Sequence, residues 1–98
     1  MIEIKKVLFD NKVEIEKCFR IRKEVFVLEQ ECDPKDEYEY EEESTHFLLT
    51  DNKIPVATAR YRKTQFGIKM ESFAVLANKR GKGYGLIILK HMINELKD

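Results

Sequence analysis

At 98 residues, the chain can close one small hydrophobic core and leaves little room for a second domain. With 43% hydrophobic and 37% charged residues it has the composition of a folded chain, and no apolar run approaches the ~20 residues that cross a bilayer, so no membrane-spanning helix is expected. A formal net charge of zero conceals two halves of opposite sign: nine acidic residues stand against Lys35 alone between Leu28 and Ser44, and ten basic residues against three acidic ones from Asn52 onward. The basic half suits a polyanionic ligand and the acidic stretch suits a cationic one or repels nucleic acid; the alternative for both is solvated surface.

In chain order, Ile2 and Ile4 alternate with Glu3 and Lys5, which predicts a half-buried first strand over Ile2 to Val7. The same N-terminus lacks the apolar core and cleavage site of a signal peptide, so a cytoplasmic location is expected. Asp10 can cap the amides of a following turn, and Ile15, Cys18, Phe19, Val25 and Phe26 recur at helical intervals, which predicts a helix from about Asn11 to Gln30. Asp33-Pro34-Lys35-Asp36 breaks it, and the acidic run to Ser44 reads as a loop. Next, His46-Phe47-Leu48-Leu49-Thr50, the turn Asp51-Asn52-Lys53 and Ile54 to Lys63 predict a hairpin, with Pro55 tolerable near the start of its second arm. A third arm, Ile68 to Val75, follows the turn Thr64-Gln65-Phe66-Gly67 and makes an antiparallel meander. Finally, Leu86, Ile87, Leu89, Met92, Ile93 and Leu96 give an amphipathic helix from Gly83 to Leu96. Cys18 and Cys32 form no CxxC, and with His46 and His91 they give no zinc spacing, which predicts two reduced thiols and no metal.

The stretch richest in chemistry runs from Phe73, Ala74 and Val75 through Arg80-Gly81-Lys82-Gly83-Tyr84-Gly85, a strand passing through a glycine-rich turn into a helix. Glycine permits positive φ and close approach, so successive N–H groups can converge on phosphate oxygens, and the helix that follows aims its unpaired amides at the same point. A tight turn without a ligand is the alternative; Arg80 and Lys82 inside the turn favour phosphate. A Walker A loop is excluded because no Lys-Ser or Lys-Thr follows the glycines, and the dinucleotide fingerprint fails for want of a parallel βαβ unit and its downstream acid.

Arg80 to Gly85 matches the R/Q-x-x-G-x-G/A motif of the GNAT superfamily of N-acetyltransferases, preceded by Ala74-Val75 as at the end of that family's fourth strand. Ile21-Arg22-Lys23-Glu24-Val25-Phe26-Val27-Leu28-Glu29-Gln30, an acidic loop, and Thr45-His46-Phe47 resemble the family's ElaA/YjcF-like branch. The resemblance covers nearly the whole chain. It implies an α/β (α+β) domain with the acyl-CoA N-acyltransferase fold, a mixed and mainly antiparallel sheet flanked by helices. Residues 1–98 then form a single domain incomplete at its C-terminus, since family members continue into a fifth strand and a region that usually supplies a proton-donating tyrosine.

The resemblance further implies acetyl transfer from acetyl-CoA to a primary amine of a small molecule or protein. Phe73, Ala74 and Val75 would hold the pantetheine arm by their backbone, and Arg80, Gly81, Lys82, Gly83, Tyr84 and Gly85 the pyrophosphate. Glu71 stands where members often carry a catalytic base; read by itself it is equally a surface carboxylate facing Lys69 or Arg62 across the sheet. Glu29 and Gln30 can line an amine-binding mouth or simply end a helix. His46 reads as a capping or packing residue, His91 as solvent-facing and Cys18 as core. The alternatives to an enzyme are a non-catalytic CoA-binding module and a fragment that completes its sheet as a homodimer. No nucleic-acid or membrane partner is expected.

Overall fold

The structure, a computed structural model, describes residues 1–29 and 43–97, with the backbone alone at Glu29. Four strands form one sheet among these residues: β1 (Ile2–Val7), β2 (Thr45–Asp51), β3 (Ile54–Thr64) and β4 (Gly67–Val75), in the order β1-β2-β3-β4. Each pairs antiparallel with the next. Their hairpins follow from local chemistry. Asn52 and Lys53 both adopt positive φ, 51° and 67°, as a two-residue turn matching the strand twist requires. In the second turn the Thr64 hydroxyl accepts from the Phe66 amide at 3.1 Å and donates to the Gly67 carbonyl at 3.0 Å, with Gly67 at φ 124°.

Helices cover both faces of the sheet, which explains why β2 is apolar without alternating. Helix α1 (Lys12–Arg22) packs Ile15, Cys18 and Ile21 against Val7, Leu48 and Ala74. On the other face, α2 (Tyr84–Leu96) packs Tyr84, Ile88 and Met92 against Phe47, Leu49, Val56, Ala57 and Ala59. Phe47, Leu48 and Leu49 are thus all fully buried, alternating between two cores. Burial of each contributes roughly 1.5–3 kcal/mol.

Three details differ from the sequence-based expectation. The cap of α1 is Asn11, not Asp10: the Asn11 Oδ1 accepts from the Glu14 amide at 3.3 Å. The predicted helix from Asn11 to Gln30 keeps α-helical bonding only to Arg22 and then continues through Lys23–Glu29 in wider π turns. Val25, Phe26 and Val27 are β-branched or aromatic and form α-helix poorly; Val25 is buried, as are Ile21 and Arg22 at the end of α1. In α2 the buried line is Tyr84, Ile88 and Met92, whereas Leu86 is 56% and Ile93 37% exposed. Nearly every turn of this helix carries apolar residues, so sequence periodicity leaves its rotation open. Cys32 and most of the acidic stretch lie outside the described residues.

Candidate functional site

The site is built where β4 gives way to α2. Residues Thr58 and Ala74 pair across β3 and β4, and so do Arg60 and Glu71, leaving Ala59 opposite both Ser72 and Phe73. This is a bulge, with Ser72 at φ 58°, a left-handed conformation costing an L-residue roughly 1–2 kcal/mol. The bulge turns the last part of β4 relative to its start. Among the described residues, the far edge of β4 has no partner strand, so its outward backbone groups are available to a ligand.

Beyond β4, the Leu76 amide donates to the Val56 carbonyl at 3.0 Å, and a short 3-10 turn, Ala77–Lys79, carries the chain into Arg80. Gly81 and Gly83 have φ of 86° and 77°. A Cβ built on either would meet nothing within 4 Å, so backbone angle and not crowding demands glycine, and the space above the turn is open. Gly83 caps α2 with no side-chain bond, which by helix geometry leaves the first amides of α2 directed outward at that space. Gly85 lies against β4, where its Cβ would touch the Val75 Cγ2 at 3.9 Å. Arg80 and Lys82 are both exposed, and the Arg80 Nε donates to the Val75 carbonyl at 3.1 Å.

The remaining predicted residues fall as follows. Phe73 and Val75 are half-buried against the α2 core, whereas Ala74 is 2% exposed and faces α1, so what these three offer a ligand is backbone. Tyr84 turns its ring into the core, 4% exposed, and its hydroxyl donates to Asp51 Oδ2 at 2.5 Å. That bond, with burial and the Asp51 charge, raises the tyrosine pKa. It also lowers that of Asp51 against the opposing effect of burial, helped by the positive charges of the Met1 amino group and Lys82.

Glu71 lies half-buried at the end of a row running Val7, His46, Arg60, Glu71 across four strands. Arg62 Nε donates to Glu71 Oε1 at 2.8 Å, Arg60 Nη2 lies 3.0 Å from the same oxygen, and Lys69 Nζ lies 3.5 Å from Oε2. Burial pushes the Glu71 pKa up, but the Arg62 hydrogen bond and the charges of Arg60, Arg62 and Lys69 outweigh it and hold the carboxyl below its ordinary value. Glu71 faces Arg62 across the sheet and Lys69 along its own strand, and is half-buried where a surface position was expected, because the two strands and their arginines enclose it. His46 is fully buried with the Phe19 ring edge-on at 6.0 Å, His91 is exposed, and Cys18 is core. Gln30 and the Glu29 side chain lie outside the described residues.

Sequence reasoning passed over Asp51, Arg60 and Ser72. Asp51 looked like an ordinary turn residue, and only the fold brings it to Tyr84, 33 positions away. The alternation of Arg60 and Arg62 on one strand face was a readable signal for a carboxylate partner. Nothing local marks Ser72.

The chain as a whole is similar to known proteins. The model of the acetyltransferase (GNAT) family matches residues 14–98. Over 88 residues the chain is 36% identical to the uncharacterized N-acetyltransferase YjcF of Bacillus subtilis, covering 89% of this chain and 63% of that protein. The crystal structure of Escherichia coli ElaA superposes with a TM-score of 0.82 at 22% identity, covering 97% of this chain and 69% of ElaA. A predicted acetyltransferase of Clostridium acetobutylicum, solved with acetyl-CoA, gives 0.69 at 19% identity over 99% of this chain and 74% of its own. Since the chain spans less than two thirds of YjcF, it matches only the corresponding part of such a protein. By sequence and by fold, the chain belongs to the acetyltransferase (GNAT) family, in its ElaA/YjcF-like branch.

Proposed function

We propose that this chain supplies the acetyl-CoA-binding part of a cytoplasmic N-acetyltransferase that moves an acetyl group to a primary amine. The observation that carries this reading is the turn at Gly81 and Gly83: two positive-φ glycines under open space, exposed Arg80 and Lys82, and the uncapped start of α2. Such a turn suits the pyrophosphate of CoA, with backbone amides from Arg80 to Gly85 converging on its oxygens and the two cations adding charge. The outward edge of Phe73, Ala74 and Val75 lies next to it and suits the amides of the pantetheine arm. Arg80 would then exchange its bond to the Val75 carbonyl for the phosphates, which exposes that carbonyl to the arm.

Acetyl transfer needs a neutral amine to attack the thioester carbonyl, a group to take the amine proton, and departure of the CoA thiolate. Glu71 is our candidate for the proton acceptor, directly or through a water. Arg60 and Arg62 keep it ionised at neutral pH, which readies it to accept a proton but makes it a weak base. Glu29 and Gln30 are proposed to line the amine's approach. The edge of β4, which has no partner strand among the described residues, favours a second reading, in which another segment or a second copy of the chain completes the sheet before transfer occurs.

Calorimetric titration of the chain with CoA and acetyl-CoA tests this reading. Binding that Gly83→Asp and Arg80→Glu abolish is the expected result, because the aspartate side chain would enter the phosphate space and the arginine change inverts a charge. No binding by a chain whose circular dichroism shows it folded would overturn the assignment of the turn as a CoA site.

A further inference from the structure

We propose that Asp51 is a positioning residue for the phosphate turn, acting through the hydroxyl of Tyr84. The inference rests on the CoA site proposed above and concerns what holds that site in shape. A glycine-rich turn is conformationally loose, whereas amides that receive a phosphate must be held to within about 0.5 Å and 10–20°. Among the described residues nothing lies within 4 Å of where a Cβ would stand on Gly81 or Gly83, and Lys82 between them is exposed. Restraint must come from the two ends. On the strand side it comes from the Leu76 amide on Val56, from the Lys79 and Arg80 amides on the Leu76 and Ala77 carbonyls, and from the Arg80 Nε on Val75, the last of which is given up if Arg80 turns to the phosphates.

On the helix side it comes from Tyr84, the residue directly after Gly83. Its ring is sealed in the core against Phe47 and Leu49, and its hydroxyl reaches Asp51. Asp51 is itself fixed: it is the last residue of β2, paired with Ile2 on one side and with Ile54 on the other, at the start of the Asn52-Lys53 turn. The hydrogen bond therefore ties the first turn of α2 to a rigid hairpin through a buried lever. This bond fixes the rotation of α2 and with it the direction of the amides after Gly83. Asp51 does not need to touch the ligand. Rigidity already present before binding reduces the ordering cost of binding.

The test is CoA affinity, by calorimetry, for the chain and for Tyr84→Phe, Asp51→Ala, Asp51→Asn and the Tyr84→Phe/Asp51→Ala double variant. Loss of the bond is expected to weaken CoA binding roughly five- to tenfold in both Tyr84→Phe and Asp51→Ala, the scale of one lost hydrogen bond. The double variant is expected to be no weaker than either single one. Asp51→Asn keeps an oxygen that can accept from Tyr84 and is expected to restore most of the affinity. A phenol titration followed at 295 nm reads the pair without a ligand: the hydroxyl that Tyr84→Phe removes should titrate above the ordinary tyrosine value, and closer to it in Asp51→Asn. Thr64→Ala, which loosens the far hairpin, controls for general destabilisation and is expected to bind CoA as the unaltered chain does. Unchanged affinity in folded Tyr84→Phe, multiplying losses in the double variant, or an equal loss in Thr64→Ala would each overturn the positioning role. If the unaltered chain binds no CoA, the site assignment fails first and this role falls with it.

Discussion

Glu71 gathers the charges of Arg60, Arg62 and Lys69 around one carboxylate. The Arg60 side chain is only 5% exposed and has Glu71 at 3.0 Å. Glu71→Gln would remove the carboxylate charge that Arg60, Arg62 and Lys69 share, and we expect a stability loss of about 1 kcal/mol, discounted for the partial solvent access of the group. The pH dependence follows from the lowered pKa. Above the ordinary carboxylate value, the stabilisation from Glu71 is fully present; it is lost as acidification carries the pH through the lower folded value. Urea denaturation at pH 7 and at progressively lower pH should show a shallower acid limb for Glu71→Gln than for the unaltered chain. Asp51, also lowered, contributes in the same direction and leaves a residual slope.

At the level of elements, capping separates two neighbouring residues. Asn11→Ala removes an observed cap and is expected to cost about 1 kcal/mol, whereas Asp10→Ala should change thermal stability little. Gly83→Ala forces a Cβ onto a φ of 77°, at a cost of roughly 1 kcal/mol, and should loosen the start of α2. The strands and both turns were readable because β-branched and aromatic runs are bounded by Asn, Lys and Gly at positions where the chain must reverse. The glycine-rich turn was readable as a turn from strand into helix, since closely spaced glycines mark positions of positive φ. The rotation of α2 was not, because Leu86 and Ile93 look as suited to a core as Ile88 does. Ser72 was invisible because a bulge depends on what lies across β3. The buried row from His46 to Glu71 was hidden because pairing partners are set by register and not by sequence proximity.

For the molecule as a whole, β2 and β3 are the central strands and are sandwiched by two helices, while β4 is open along one side among the described residues. Amide hydrogen exchange should be slowest in β2 and β3 and faster along the outer edge of β4. Addition of CoA should slow exchange at Phe73 to Val75 and from Gly81 to Gly85; protection confined to other segments would count against the proposed cofactor slot. The two cores share the sheet but not their side chains, and Lys6 on β1 also reaches Glu95 on α2 at 3.1 Å. Cys18 lies at the centre of the α1 core with no exposed surface, its Sγ 3.9 Å from the Phe47 carbonyl oxygen. A thiol so enclosed reacts with an alkylating reagent only when the helix lifts off the sheet. In a Cys32→Ser background, the modification rate of Cys18 becomes a clock for that opening, read without any fluorophore in a chain that contains no tryptophan.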